Sequence, residues 1–330
     1  MVAYYISKSA LWILTIIGLV CNSLAFVTIS KIKPFSTSSF YVALLAVLDT
    51  LVLLTRLIYQ QMTGFDVPMG NIGCAAFTYV GQCILHISTW TLVIMTIERF
   101  VAVWFPLRVM ELFTMRRAKI SVAIIAVVLL LVNIHNTWTY EEVWQDPPQG
   151  LNCVPRPEYV YFHKIVWYWI NSCVYAFFPC VILIGLNGLI IWGMRRSFKV
   201  QKKMTNGECV GSSKQTQQRQ ITIMLVTVSV AFVCFLLPIC IFHLVSVNWN
   251  YAKSTEETAR YHLASEIVFF VAEIHHAINF LFYFFSSRKF RTVLIKLVCC
   301  RQRSSRGSLY TSQPTVTSTS TLSTTLSMRR

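Results

Sequence analysis

Charge is what this chain has least of. Only 13% of its 330 residues are Asp, Glu, Lys or Arg, about half of the roughly 25% found in a soluble domain. That scarcity excludes an ordinary water-facing surface over most of the chain. No nucleophile constellation and no metal-binding His/Cys spacing is present, so an enzyme reading has little support. No Asn-x-Ser/Thr sequon occurs. Apolar and polar residues do not alternate along the long apolar stretches, which argues against a membrane-spanning strand barrel.

What the chain has instead is long apolar runs. Hydrophobic residues make up 55% of it, and the mean hydropathy is +0.57. Seven runs are long enough to cross a hydrocarbon core, which takes roughly 20 residues of helix. They lie near Ala10–Ser30, Phe40–Met62, Ile72–Phe105, Lys119–Thr139, Tyr168–Met194, Ile221–Val247 and Ala264–Phe285. Lipid offers the backbone no hydrogen-bond partner, and a helix satisfies its own. The expected fold is therefore all-α, a seven-transmembrane helix bundle over residues 1–300. The first run is too long for a cleaved signal peptide, and its positive flank, Lys31 and Lys33, follows rather than precedes it. Only a few residues stand ahead of that run, so the chain either has almost no N-terminal domain or is truncated there.

The formal net charge is +16, yet its distribution points to membrane topology. With the C-terminus in the cytoplasm, Lys31, Lys33, Arg108, Arg116, Arg117, Lys119, the basic residues from Arg195 to Arg219 and those from Arg288 to Arg330 all fall inside. Lys8, Arg56, Arg156, Lys164, Lys253 and Arg260 remain outside. This is the positive-inside pattern, and it places the N-terminus outside. The inner charge meets anionic membrane lipid rather than nucleic acid.

Three longer segments join or follow the runs. Tyr140–His163 is an outer loop rich in Pro and acid, and Ser197–Gln220 is an inner loop rich in Lys, Gln, Gly and Ser. Residues 301–330 are dominated by Ser and Thr without hydrophobic periodicity and read as a disordered cytoplasmic tail. Before that tail, Phe290, Val293, Leu294, Leu297 and Val298 recur at helical spacing, opposite Arg288, Lys289, Arg291 and Lys296. Residues 287–300 thus read as an amphipathic helix on the inner leaflet. Cys299 and Cys300 at its end fit either palmitoylation or a pair of unmodified thiols. Of the 11 cysteines, most lie inside apolar runs and act as small hydrophobes. Cys74 opens the third run on the outer side and Cys153 lies in the outer loop, so these two share an oxidising compartment and can pair.

Several residues then fall into a pattern. Asn22 lies in the first run and Asp49 in the second. Glu98 and Arg99 close the third and are followed by Phe105, Pro106, Leu107 and Arg108. Pro179 lies in the fifth run, Pro238 in the sixth, and Asn279 to Tyr283 in the seventh. In this register the chain, from about Leu11 to Cys300, resembles the rhodopsin-like (class A) G-protein-coupled receptors. It is similar to invertebrate neuropeptide receptors of the FMRFamide-like kind. The resemblance implies a Cys74–Cys153 disulfide and a plasma-membrane location. It also implies coupling to a heterotrimeric G protein, with arrestin and a receptor kinase acting on the tail. The departures are Leu236 in place of a toggle tryptophan, Asn187 in place of an active-state tyrosine, Phe280 in place of a proline, and a missing fourth-span tryptophan.

The resemblance assigns roles by position. Arg99, held by Glu98 at rest, would turn to the G protein when the helices part, with Asn187 and Tyr283 at the same switch. The reading without it is an interfacial pair that anchors a helix end. Asp49 is a carboxylate near mid-membrane and needs partners or neutrality. With Asn22, Ser88 and Asn279 it matches the family's sodium pocket, which His275 and His276 would weaken or make proton-sensitive. A polar network of Asn22, Asp49 and Asn279 without an ion fits equally. No other cofactor or metal is expected. Gly81 and Glu273 stand where amine receptors carry an aspartate and opsins a lysine, which disfavours an amine or a retinal Schiff base. Acidic residues outnumber basic ones on the outer face, among aromatics such as Trp138, Tyr140 and Trp144. That surface suits a basic, amphipathic peptide, with Gln82, His243, Glu266 and Glu273 expected in the ligand pocket. The competing class is an ion channel or transporter using Asp49, Arg56, Glu273, His275 and His276. It would want repeated halves, which an odd number of spans does not supply.

Overall fold

The structure, a computed structural model, describes residues 2–145, 150–204, 213–247, 249 and 253–298. Cys299, Cys300 and the tail 301–330 lie outside the described residues. Among the described residues, seven helices are long and apolar enough to cross a membrane: Ser9–Lys31, Thr37–Gly64, Gly70–Trp104, Met115–Thr139, Phe162–Lys199, Arg219–Ser246 and Thr255–Ser286. They are numbered here as the first to seventh spans.

Local chemistry sets several of their ends. Ser36, Thr114 and Ser254 stand in extended backbone and accept from the amides of Ser39, Arg117 and Glu257 respectively, capping the second, fourth and seventh spans. Glu256 and Glu257 add negative charge to the first turn of the seventh. The third span ends just before Pro106, which takes the first position of a short helix, Pro106–Leu112. At the end of the seventh, Arg291 donates to the carbonyls of Phe284 and Phe285 at 2.9 and 2.7 Å. A short helix, Arg288–Val298, follows, with Phe290 and Leu294 buried against the bundle.

The bundle hides its polar residues and shows its apolar ones. Ile13, Leu131 and Val181 are more than 60% exposed, as suits a surface that meets lipid tails. Asn22, Asp49, Ser88, His275, His276 and Asn279 are buried. Close helix approach depends on a small residue at Gly18, where an added Cβ would stand 3.3 Å from Cα of Ala277 and collide with Leu53.

The helical bundle carries a small β element besides its helices. Within the outer loop, β1 (Tyr140–Gln145) pairs antiparallel with β2 (Gly150–Pro155), Tyr140 opposite Pro155 and Gln145 opposite Gly150. The hairpin stands because its neighbours hold it. Cys74 and Cys153 form a disulfide with Cα atoms 5.5 Å apart. The Glu142 carboxylate accepts from the amides of Met69 and Gly70, both at 2.8 Å, at the start of the third span. Asp66 accepts from the amide of Leu151 at 2.8 Å. Burial pushes the Tyr140 phenol up to about 12, so it stays protonated through the physiological range. The fifth span is also longer than expected, beginning at Phe162 with π-helical turns at Phe162–Trp167 and Cys173–Phe177.

Candidate functional site

Three polar groups sit along the axis of the bundle. The first lies at the end of the third span farthest from the disulfide. Arg99 and Glu98 are 5% and 1% exposed and form an ion pair. Neighbouring helix residues do not face each other squarely, but here the long guanidinium folds back onto the carboxylate. Glu98 also accepts from Thr37 at 2.6 Å and from Ser38 at 3.4 Å, both at the start of the second span. The pair therefore ties two spans together. Tyr283 is buried beside Phe290, and Asn187 accepts from Ser229 at 2.9 Å, joining the fifth and sixth spans.

The second group surrounds Asp49. Its Oδ1 accepts from Ser88 at 2.8 Å and lies 2.7 Å from Nδ1 of His276. Its Oδ2 accepts from Asn279 at 2.7 Å. Asn22 donates to the carbonyl of His276 at 3.0 Å, and His275 turns to the carbonyl of Ala272 while packing edge-on against Phe232. A sodium ion takes oxygen ligands. Here Ser88 and Asn279 donate to the carboxylate and His276 Nδ1 lies against it, so two of its three neighbours present nitrogen rather than oxygen. The residues as they stand do not fit the sodium ion implied by the resemblance.

The third group is a cavity of about 190 Å³ at the disulfide end, between the first, second and seventh spans. Arg56 Nε donates to Glu273 Oε1 at 2.8 Å across it, and Glu266, Gln60, Phe269 and Phe270 also line it. Arg56 lies two helical turns from Asp49 on the second span, about 10 Å along the axis. Glu273 lies one turn from His276 on the seventh.

Of the four expected ligand-pocket residues, Glu266 and Glu273 line this cavity, and Gln82 and His243 do not. His243 is committed elsewhere, with Nδ1 2.6 Å from the hydroxyl of Tyr168, itself bonded to Ser246 at 2.8 Å. Gln82 belongs to the third span, whereas the cavity opens among the first, second and seventh. Gln60 and Thr37 were not among the expected site residues, and Arg56 was expected at a site only under the channel or transporter reading. The signal for Arg56 was its charge in an apolar run. Gln60 and Thr37 carried no comparable signal.

A further polar junction joins the third, fourth and fifth spans. His86, fully buried, lies 2.9 Å from Asn133 Nδ2 and 3.0 Å from Asn171 Oδ1.

Comparison with known proteins gives a match to the 7 transmembrane receptor (rhodopsin family) over residues 21–283. Among similar proteins is growth hormone secretagogue receptor type 1 of Sus scrofa, 25% identical over 86% of this chain and 78% of the relative. The allatostatin-A receptor of Bombyx mori is 27% identical over 86% and 77%. Neuromedin-U receptor 1 of Rattus norvegicus is 25% identical over 88% and 74%.

Proposed function

The chain belongs to the rhodopsin family of seven-transmembrane, G-protein-coupled receptors, and from that premise we propose that its ligand is an extracellular basic, amphipathic peptide. The observation that carries this reading is the cavity at the disulfide end, with Glu266 and Glu273 on its wall beside Phe269 and Phe270. Carboxylates take a basic side chain and aromatic rings take an apolar one. The names of the similar proteins, receptors for growth hormone secretagogues, allatostatin-A and neuromedin-U, support the same ligand class.

The N-terminus and the disulfide face outside, and the Glu98–Arg99 pair faces the cytoplasm. The basic residues Arg108, Arg116, Arg117, Arg195 and Arg196 near the Arg99 end support that orientation. Peptide binding rearranges the helices, Arg99 leaves Glu98, and the parted ends admit the G protein. The helix Arg288–Val298 lies on the inner leaflet, Cys299 and Cys300 carry lipid, and the Ser/Thr-rich tail takes phosphate from a receptor kinase and docks arrestin. The Asp49 group works as an ion-free polar network. The chain performs no catalysis of its own.

The test is a screen of amidated neuropeptides on cells expressing the chain, with readouts for several G proteins. A peptide response is expected. A response to amines or lipids alone would overturn the ligand class.

A further inference from the structure

Arg56 and Glu273 form an ion pair that is poorly made for its position. Arginine grips a carboxylate best through two parallel N–H bonds. Here the contact is through Nε at 2.8 Å. The Arg56 side chain is 48% exposed and that of Glu273 18%, so the pair lies open to the cavity rather than sealed between helices. The same cavity offers further acceptors. Glu266 is on its wall, and Oε1 of Gln60 is buried with no hydrogen-bond donor. An incoming anion would meet two carboxylates and a carbonyl oxygen against one arginine already engaged. An incoming cation would meet acceptors, with Phe269 and Phe270 to receive its apolar stem and its charge.

We infer that this cavity is a cation-acceptor subsite in which Arg56 is the resident cation, and that a guanidinium or ammonium group of the ligand displaces it from Glu273. Arg56 is thus a competitor built into the receptor, and it sets specificity by turning away every group that grips Glu273 less well than it does. The displacement also releases the second span from the seventh at this level. The Asp49–His276 contact joins the same two spans further in, so release begins at the weaker contact. The inference deepens the peptide reading above and rests on it for the identity of the ligand.

The experiment uses the purified full chain in lipid nanodiscs, with Nα-acetyl-L-arginine amide (arginine amide) as the probe, Nα-acetylcitrulline amide (citrulline amide) as its uncharged isostere and N-acetylphenylalanine as an anionic control. Binding is read by saturation-transfer NMR and thermal shift. Arginine amide is expected to bind wild type, to bind Arg56→Gln about tenfold more tightly, as loss of one charged hydrogen-bond competitor implies, and to lose binding in Glu273→Gln. Citrulline amide is expected not to bind. Arg56→Lys, which keeps the charge and safeguards folding, is expected to fall between wild type and Arg56→Gln. Equal or weaker arginine amide binding in both Arg56 variants would overturn the inference. So would binding that survives Glu273→Gln, or N-acetylphenylalanine binding that is lost with Arg56→Gln. A chain that answers no peptide yet binds arginine amide through Glu273 refutes the peptide reading alone. A peptide agonist whose basic residues can all be replaced by citrulline at full potency refutes this inference alone.

Discussion

Nδ1 of His276 lies 2.7 Å from Oδ1 of Asp49, with side chains 1% and 2% exposed, and the contact joins the seventh span to the second. The chain itself thus supplies a partner for a deeply buried carboxylate. Removing that partner takes one contact from a buried carboxylate that keeps Ser88 and Asn279. His276→Ala is therefore expected to cost about 1.5–3 kcal/mol, the net worth of a hydrogen bond to a charged group. It should appear as a lower melting temperature of the purified receptor, and an unchanged one would contradict the arrangement.

The same geometry makes a prediction about salt. Ser88, His276 and Asn279 already occupy the Asp49 carboxylate. Exchanging sodium for N-methylglucamine at constant ionic strength should leave agonist affinity and melting temperature unchanged. Specific stabilisation by sodium, abolished in Asp49→Asn, would refute the ion-free network.

Arg99→Ala is expected to abolish ligand-stimulated nucleotide exchange on the G protein while ligand binding survives. The residue lies at the opposite end of the bundle from the Glu273 cavity, so its loss should not reach the ligand. Undiminished exchange in a reconstituted assay would sink the proposed switch.

Thr37 holds Glu98 from the second span at 2.6 Å. Thr37→Val keeps the shape and removes that bond, worth about 1 kcal/mol. Basal exchange should then rise about fivefold, the population change that such an energy produces. A variant with wild-type basal exchange would show that the bond does not restrain Arg99.

Cys153→Ser removes the covalent tie from the hairpin to the third span and leaves non-covalent contacts such as those of Glu142, Asn71 and Asp66 to hold it. Ligand affinity should fall by at least about tenfold, or about 1.4 kcal/mol, in a saturation binding assay. Unaltered affinity would place the hairpin outside the ligand's path.

The spans, the Cys74–Cys153 partners and the receptor family were legible before any coordinates, each for a local reason. An apolar run of roughly 20 residues has helix as its way to cross lipid, and two cysteines in one oxidising compartment are free to meet. The hairpin Tyr140–Pro155 was not legible. Its segment is short and rich in Pro and acid, and its pairing depends on the disulfide and on Glu142 reaching the start of the third span. Where the His243 ring points was likewise not legible, because the nearness of Tyr168, 75 residues away, settled it.

The amino-acid sequence by itself determined that the chain lives in lipid, how many times it crosses, and which few ionisable residues it carries into the membrane. Tertiary structure decided what those residues hold. Asp49 meets His276 across 227 positions, Arg56 meets Glu273 across 217 and Thr37 meets Glu98 across 61. Such partners follow from how each helix is rotated and where it crosses its neighbours. Packing sets those quantities through details such as the close approach at Gly18, and no local pattern of residues encodes them.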